Sequence, residues 1–369
     1  MKRVQKIDLK TQIALIYFFL LVIGVFQVYS ASSIYALEIY QDSWFFVKKQ
    51  ALFASVSAVL FLALCRLPLR LFLILGGFGF VISLGALVST LVPSVGVSAG
   101  GATRWIQLPF GFRLEPGEFL KVGFGFLIFW LLNFKDKYEN FSFWWPFSLI
   151  YLLIVGVFLR QPDFGSVILL TLSTLVVLFF MLKRVWPFLL VGVLSLSSLF
   201  FFLTQKSYRL ERLMTYIDPW RDPQGKGYQI IQSLMAFRKG GVTGEGLGMS
   251  EAKFFFLPEA HTDFTLAVFA EEWGFIGVMI LLTIFMRFVF LSLKLSKLSV
   301  KEDQAVSHLS YYLSCLFFFY VFINFSVNIG LLPTKGLSLP FLSYGGSSLI
   351  SVTLIFAYFG ALARHLDRR

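Results

Sequence analysis

Long apolar runs separated by short polar breaks make up most of the chain. A helix that crosses a bilayer needs about 20 mostly apolar residues, and about ten stretches approach that length. They are residues 11–30, 46–65, 71–92, 118–134, 146–159, 165–182, 185–204, 264–290, 309–330 and 345–363. The fifth and sixth are short and meet at Arg160-Gln161-Pro162-Asp163, which reads as either a tight outer turn or a broken helix. The pattern predicts an all-α, polytopic membrane protein, with residues 1–369 forming a single membrane domain.

Lysine and arginine in the short loops set the orientation. With the N-terminus inside, the inner segments carry Lys2, Arg3, Lys6 and Lys10, then Arg66 and Arg70, Lys135 and Lys137, Lys183 and Arg184, Arg287, Lys294, Lys297 and Lys301, and Arg364, Arg368 and Arg369. The short outer segments carry only Arg160 and Lys335, the segment 31–43 carries none, and Lys48-Lys49 at the outer entry of the second span runs against the trend. Both termini are therefore expected in the cytoplasm. The loops 93–117 and 205–263 then lie outside, the larger between the seventh and eighth spans.

Composition agrees: 57% of residues are hydrophobic and 14% charged, which excludes an ordinary soluble domain. The net charge of +12 suits anionic lipid headgroups at the ends of spans and calls for no nucleic acid. Cys65 and Cys315 fall in apolar runs and read as small buried hydrophobes. The first apolar run has no cleavable-leader pattern.

Candidate chemistry concentrates in the outer loops. Residues 257–277 hold Glu259, His261, Asp263, Glu271 and Glu272. Ionisable groups running into an apolar span are costly, so they mark a candidate site. A helix cap by Thr262 or Asp263 would explain one carboxylate and not the group. Glu271 and Glu272, two turns further along a helix, are expected to be deeper and structural.

In the loop 93–117, Gly100-Gly101 allows a tight backbone, and Arg104-Trp105 pairs an anion-binding guanidinium with an interfacial ring. Glu115-Pro116-Gly117-Glu118 opens a helix with Lys121 one turn on. Capping by Glu115 and an i,i+3 pair of Glu118 with Lys121 are the ordinary explanations. In the larger loop, 208–215 reads as an interfacial amphipathic helix carrying Arg209 and Arg212, and 228–237 as a second short helix on the membrane. The glycines at 240–248 could cradle phosphate or merely be flexible, and no Gly-Lys-Ser/Thr follows to support a nucleotide loop. Asn324 and Asn328 share a helix face. Lys335 could neutralise an anion or snorkel, and Gly345 and Gly346 suit close helix packing.

Nine ordered motifs resemble one family. They are VYSASS (28–33), GATRWI (101–106), EPGEFLK (115–121), QPDFGS (161–166), GYQIIQSLMA (227–236), GGVTGEGLGMS (240–250), LPEAHTDF (257–264), EEWGFIG (271–277) and LLPTKGLSLPFLSYGGSSL (331–349). Together they resemble the SEDS proteins (shape, elongation, division and sporulation), which include FtsW and RodA, over essentially the whole chain. LPEAHTDF and PTKG are more similar to the division-type FtsW branch than to RodA. One departure is Glu115-Pro116-Gly117-Glu118 where the family usually has Gln-Pro-Ser-Glu.

The resemblance implies a peptidoglycan glycosyltransferase of the bacterial inner membrane. Such an enzyme polymerises lipid II on the outer face, extends an undecaprenyl-linked glycan chain and releases undecaprenyl diphosphate. It implies a class B penicillin-binding protein as transpeptidase partner, and it maps the family's essential aspartate onto Asp263. In that chemistry Asp263 is expected to be the general base for the sugar hydroxyl. Arg104, Lys121, Arg209, Arg212 and Lys335, or a bound divalent cation (Mg or Mn), are the candidates to stabilise the leaving diphosphate. Glu118 and Lys121 are expected to orient the site, Glu259 to line it, and His261 to act as a local hydrogen-bond partner. The residues themselves identify no metal set. The competing reading is a lipid II flippase, whose site would lie near the bilayer midplane. A third is a scaffold, indifferent to the charge on Asp263.

Overall fold

The computed structural model describes residues 8–99, 101–133, 141–181, 189, 192–194, 197, 218–225, 227–334 and 336–368. In chain order its helices are α1 (Leu9–Tyr40), α2 (Phe45–Leu64), α3 (Leu69–Ser89), α4 (Pro116–Leu132), α5 (Phe141–Arg160), α6 (Phe164–Met181), α7 (Tyr228–Gly240), α8 (Thr265–Ser299), α9 (Gln304–Asn328) and α10 (Gly346–Asp367). Six of these (α1, α2, α3, α8, α9 and α10) are long and apolar enough to cross a membrane. The seventh expected span (185–204) and the expected helix 208–215 fall largely or wholly outside the described residues.

Several helix ends follow from local chemistry. The Asp8 carboxylate accepts from Thr11 N–H at 2.7 Å and opens α1, and Asp303 does the same for α9 through Ala305 N–H at 2.8 Å. α1 runs for 32 residues, so most of the segment 31–43, expected as an outer loop, is helix as far as Tyr40. The α5–α6 junction is a tight turn and not a broken helix. Tyr151 and Thr171 hydroxyls meet at 2.7 Å across an antiparallel pair, with Gln161–Asp163 between the two helices.

α4 is buried nearly all round, among α3, α6, α9 and α10. That position explains why its sequence is apolar on every face except for Glu118 and Lys121. Aromatic rings tie the other helices to one continuous core, with Phe288 stacked on Phe356 at 3.6 Å and Tyr17 on Phe61 at 4.1 Å. Gly346 lets α10 close onto α2, because a Cβ there would strike the Phe53 ring.

The all-α expectation needs one correction. The loop 93–117 forms a three-stranded antiparallel sheet of β1 (Gly96–Ala99), β2 (Ala102–Gln107) and β3 (Arg113–Leu114). Ala99 pairs with Ala102, and Gly101 takes φ +77° at the turn. Gly101 and the β-forming Thr103-Arg104-Trp105-Ile106 run carry this hairpin. The sheet lies where α3 ends and α4 begins, at what is called here the hairpin end of the bundle.

The helix α8 is broken. Gly274 has φ +65° and ψ −171°, a conformation open essentially to glycine alone. Beyond the break, Phe285 packs against Phe317 of the antiparallel α9. An unbroken helix from Phe285 back to Asp263 would run roughly 33 Å, whereas α9 has only about 17 Å left between Phe317 and Asn328. Yet the Asp263 carbonyl accepts from the side-chain amides of both Asn324 and Asn328, each at 3.2 Å. The segment before Gly274 therefore folds back across the end of α9. Glu271 and Glu272 lie on this folded-back piece, which corrects the expectation that they sit deeper on a straight span. Gly274→Ala should lower the melting temperature and abolish activity, because its Cβ would land on the backbone N of Gly244 as well as forbid the φ. A thermal-shift measurement in detergent showing a wild-type transition would count against this break.

Candidate active site

Asp263 sits at the hairpin end, just before α8. The helix caps on Phe264 without any side-chain bond, so neither Thr262 nor Asp263 is spent on capping. Instead the turn is pinned from outside. Asn324 and Asn328 hold the Asp263 carbonyl, Ser343 Oγ donates to Thr262 O at 2.5 Å, and Tyr344 N–H donates to His261 O at 2.9 Å. Asn324 also donates to Leu337 O at 2.7 Å, so α9 fixes the chain after it as well as the chain before α8. The Asp263 backbone is thus held on several sides, while its carboxylate makes no hydrogen bond or ion pair among the described residues.

The carboxylate faces Arg104 across Gly336. A Cβ on Gly336 would lie 3.4 Å from Asp263 Oδ2 and 3.6 Å from an Arg104 guanidinium nitrogen. Glycine at 336 keeps that gap open. Burial pushes the Asp263 carboxyl up to about 7, the nearby Glu259 carboxylate adds to the rise, and Arg104 opposes it. A carboxylate poised there is matched to accept a proton near neutrality.

Arg104 anchors a chain of polar contacts leading into the bundle. It donates to Pro162 O at 2.8 Å and pairs with Asp163 at 3.8 Å, while its Nε is buried without a partner. Asp163 accepts from the Ser166 hydroxyl at 2.6 Å and from Ser166 N–H at 3.2 Å, which caps α6. Lys121 Nζ donates to Ser166 Oγ at 3.2 Å and to Glu118 at 2.7 Å. Glu118 accepts further from Tyr320 at 2.7 Å and Ser351 at 3.4 Å. Glu118 and Lys121 are thus the i,i+3 pair, fully buried, and they connect to the Asp263 site on one side through Ser166, Asp163 and Arg104 and on the other through α9, whose Tyr320 bonds Glu118 and whose Asn324 and Asn328 hold the Asp263 carbonyl. Asp163, Ser166, Tyr320 and Ser351 were missed as site residues. For Asp163 and Ser166 the signal was present as a carboxylate and a hydroxyl in QPDFGS, but the contacts of Tyr320 and Ser351 come from distant helices.

Three expectations change. Glu115 makes no capping bond with its side chain; its N–H donates to Ser347 Oγ at 3.0 Å, and burial beside Glu118 and Asp163 pushes its carboxyl up to about 8. His261 makes no hydrogen bond through its ring among the described residues. It stacks on Tyr35 at 5.1 Å and lies against Phe46 at 4.8 Å and Tyr344 at 6.3 Å, and this burial lowers its pKa. Glu259 accepts from Thr262 Oγ1 at 2.6 Å and holds the turn together. The helix expected at 228–237 is present as α7, but Ile230, Ile231, Ser233 and Ala236 are buried against protein, and Ser233 donates to Asn328 O at 2.7 Å. Arg209, Arg212 and Lys335 lie outside the described residues. Gly345 stands at the start of α10, where its N–H donates to Gln50 at 3.4 Å.

A multi-helix membrane protein with a half-buried carboxylate and a guanidinium at one rim is the class that fold and site define. Residues 11–367 match the sequence profile of the FtsW/RodA/SpoVE family, described as cell cycle proteins, and the chain belongs to that family. A probable peptidoglycan glycosyltransferase FtsW from Geobacter sp. (strain M18) is 38% identical over 335 residues, covering 89% of each chain. Its counterpart from Pasteurella multocida is 36% identical over 349 residues, covering 92% of this chain and 86% of that one. These relatives support the FtsW-like branch. Among solved structures, a chain from a study of how a peptidoglycan synthase complex coordinates polymerization and crosslinking superposes with TM-score 0.74 at 27% identity, covering 95% of this chain and 96% of that chain. Thermus thermophilus rod shape determining protein RodA gives TM-score 0.66 at 25% identity, covering 96% of both.

Proposed function

We propose that this chain is a peptidoglycan glycosyltransferase that polymerises lipid II, with Asp263 as general base. The observation that carries the reading is the Asp263 carboxylate, backbone-clamped but without a partner among the described residues, facing Arg104 across Gly336. Asp263 takes the proton of the acceptor sugar hydroxyl as that oxygen attacks the anomeric carbon of the other lipid-linked sugar. The bond to the diphosphate breaks, and undecaprenyl diphosphate leaves with the electron pair. Arg104 is the described cation best placed for that charge. Arg209, Arg212 and Lys335 complete the proposed set from the adjoining loops. Glu118 and Lys121 support the site through Asp163 and Arg104.

Among the described residues no three Asp, Glu, His or Cys side chains converge on one point, so a divalent ion would be held by one or two carboxylates together with the substrate diphosphate, whose charge it would help to neutralise. The steps above are those of this chain's own residues. A Mg or Mn ion carried in on the substrate diphosphate is tested by titrating EDTA into the assay.

The chain is placed in the bacterial inner membrane as a single domain of about ten spans, both termini cytoplasmic and the hairpin end outside. Its proposed partners are lipid II, the undecaprenyl-linked strand and a class B penicillin-binding transpeptidase. The flippase reading is disfavoured because the Asp263 carboxylate lies at a rim, while the charges nearer the bundle centre, Glu118 and Lys121, are already paired.

The pH dependence tests the base. Because Asp263 is raised to about 7, its active ionised form is lost as pH falls through that value. The rate of strand synthesis should therefore be flat above about pH 8 and fall towards tenfold per pH unit below about pH 6. A rate unchanged between pH 5 and pH 8 would contradict the assignment.

A further inference from the structure

The glycine-rich stretch at 240–250 is neither a phosphate cradle nor slack chain: it is laid across the break in α8. Glu245 N–H donates to Glu271 O at 2.9 Å and Gly246 N–H to Glu272 O at 3.1 Å. From beyond the break, Phe275 N–H donates to Gly241 O at 2.9 Å and Ile276 N–H to Val242 O at 3.1 Å. Glycines at 240 and 244 are needed because a Cβ would strike the carbonyls of Ala270 and Glu272. The Glu271 carboxylate fastens the end of the loop, accepting from Ser250 Oγ at 2.5 Å, Glu251 N–H at 3.0 Å and Ala252 N–H at 3.1 Å.

Lys253 completes this splint with a buried charge. Its Nζ meets Glu272 Oε1 at 3.1 Å, with the two side chains 4% and 0% exposed. It also donates to Gly248 O at 2.6 Å and Ser30 Oγ at 3.3 Å, and the Ser30 hydroxyl donates to the same Glu272 oxygen. The pair therefore joins the loop, the folded-back segment and α1. It also closes the base of a loop, since Asp263 stands midway along the chain between Lys253 and Glu272. A helix broken at a glycine has no angle of its own, and whatever bridges the break sets it. Without Lys253, Glu272 would be a buried anion held by one hydroxyl, and its other oxygen already lacks a partner. The segment would relieve that charge by shifting towards water, pulling the Asp263 turn against its Asn324 and Asn328 clamp and displacing the carboxylate.

We infer that Lys253 is a positioning residue for Asp263: its pairing with Glu272 fixes the angle of the segment before Gly274, and with it the placing of the Asp263 carboxylate against Arg104. The inference rests on the reading of Asp263 as base. The charged groups facing Asp263 among the described residues are Glu259 from its own turn and Arg104 from β2, while α9 presents only the amides of Asn324 and Asn328.

The test compares full-length wild type, Lys253→Met, Lys253→Arg and the double variant Lys253→Met/Glu272→Gln, measuring lipid II polymerisation against pH together with melting temperature. Lys253→Met should lower kcat on the order of 10²-fold while KM stays within about threefold, as expected of a displaced catalytic group. The rising limb of its pH profile should move to lower pH as Asp263 gains water. Lys253→Arg should restore kcat and the limb. The double variant, which leaves no buried charge, should fold like wild type and recover on the order of tenfold in kcat over Lys253→Met. Wild-type kcat and limb in Lys253→Met would overturn the inference. So would a loss of kcat with the limb unmoved, which would mark a merely structural lysine. A wild-type profile with no rising limb would instead overturn the base assignment, and the inference with it.

Discussion

Asp263→Asn should stop strand synthesis and make the protein more stable. The rate loss should be at least about 10²-fold, the usual contribution of a positioned general base. The gain in stability follows from linkage. The carboxyl rises from 3.8 to about 7 in the folded protein, so the unfolded chain ionises first. The folded state is therefore penalised as pH rises above 3.8, and the penalty is complete above about 7. Asparagine cannot ionise and escapes it. The melting temperature of Asp263→Asn should exceed that of wild type at pH 8, and the difference should shrink steadily towards pH 4. Scanning calorimetry or a thermal-shift series across that range reads the effect. An aspartate kept for stability would give the reverse, a melting temperature that falls on substitution at pH 8.

Breaking the buried Glu118–Lys121 pair should cost about 3–5 kcal/mol of stability from either side, because each single change strands the other charge. The pair is nearly inaccessible, with side chains 7% and 1% exposed and a contact of 2.7 Å. Glu118→Gln leaves Lys121 with the Ser166 hydroxyl, and Lys121→Met leaves Glu118 with Tyr320 and Ser351. The double variant Glu118→Gln/Lys121→Met removes both charges and should recover most of the loss. A double-mutant cycle on melting free energy measures the coupling. Additive single effects would mean that the two charges do not stabilise each other. Activity should follow stability in this cycle, because the pair touches Asp263 only indirectly, through Asp163 and Arg104 and through α9.

Much of the bundle was legible because hydrophobicity in a membrane protein is written residue by residue. The stretches 46–65, 71–92 and 309–330 match α2, α3 and α9 to within a few residues. The three-stranded sheet was not, since strands as short as Arg113–Leu114 offer no period to read. The break in α8 was hidden because residues 273–286 stay almost wholly apolar through Gly274, and a glycine inside a helical run can be tolerated without breaking it. What singles out Gly274 is its contact with Gly244, which is distant in sequence. LPEAHTDF drew attention by the cost of its charges. Its geometry depends on Asn324, Asn328, Ser343 and Tyr344, which only the fold brings to it. His261 shows the limit: a ring beside two carboxylates reads as a hydrogen-bonding group, and the fold puts it among aromatics.

The most direct measurement is gel analysis of glycan strands made from lipid II by purified full-length protein, wild type against Asp263→Ala. The expected result is a ladder of polymer from wild type and unconverted lipid II from the variant, with both proteins equally folded. Ladders of equal length and yield from the two would contradict Asp263 as the catalytic base.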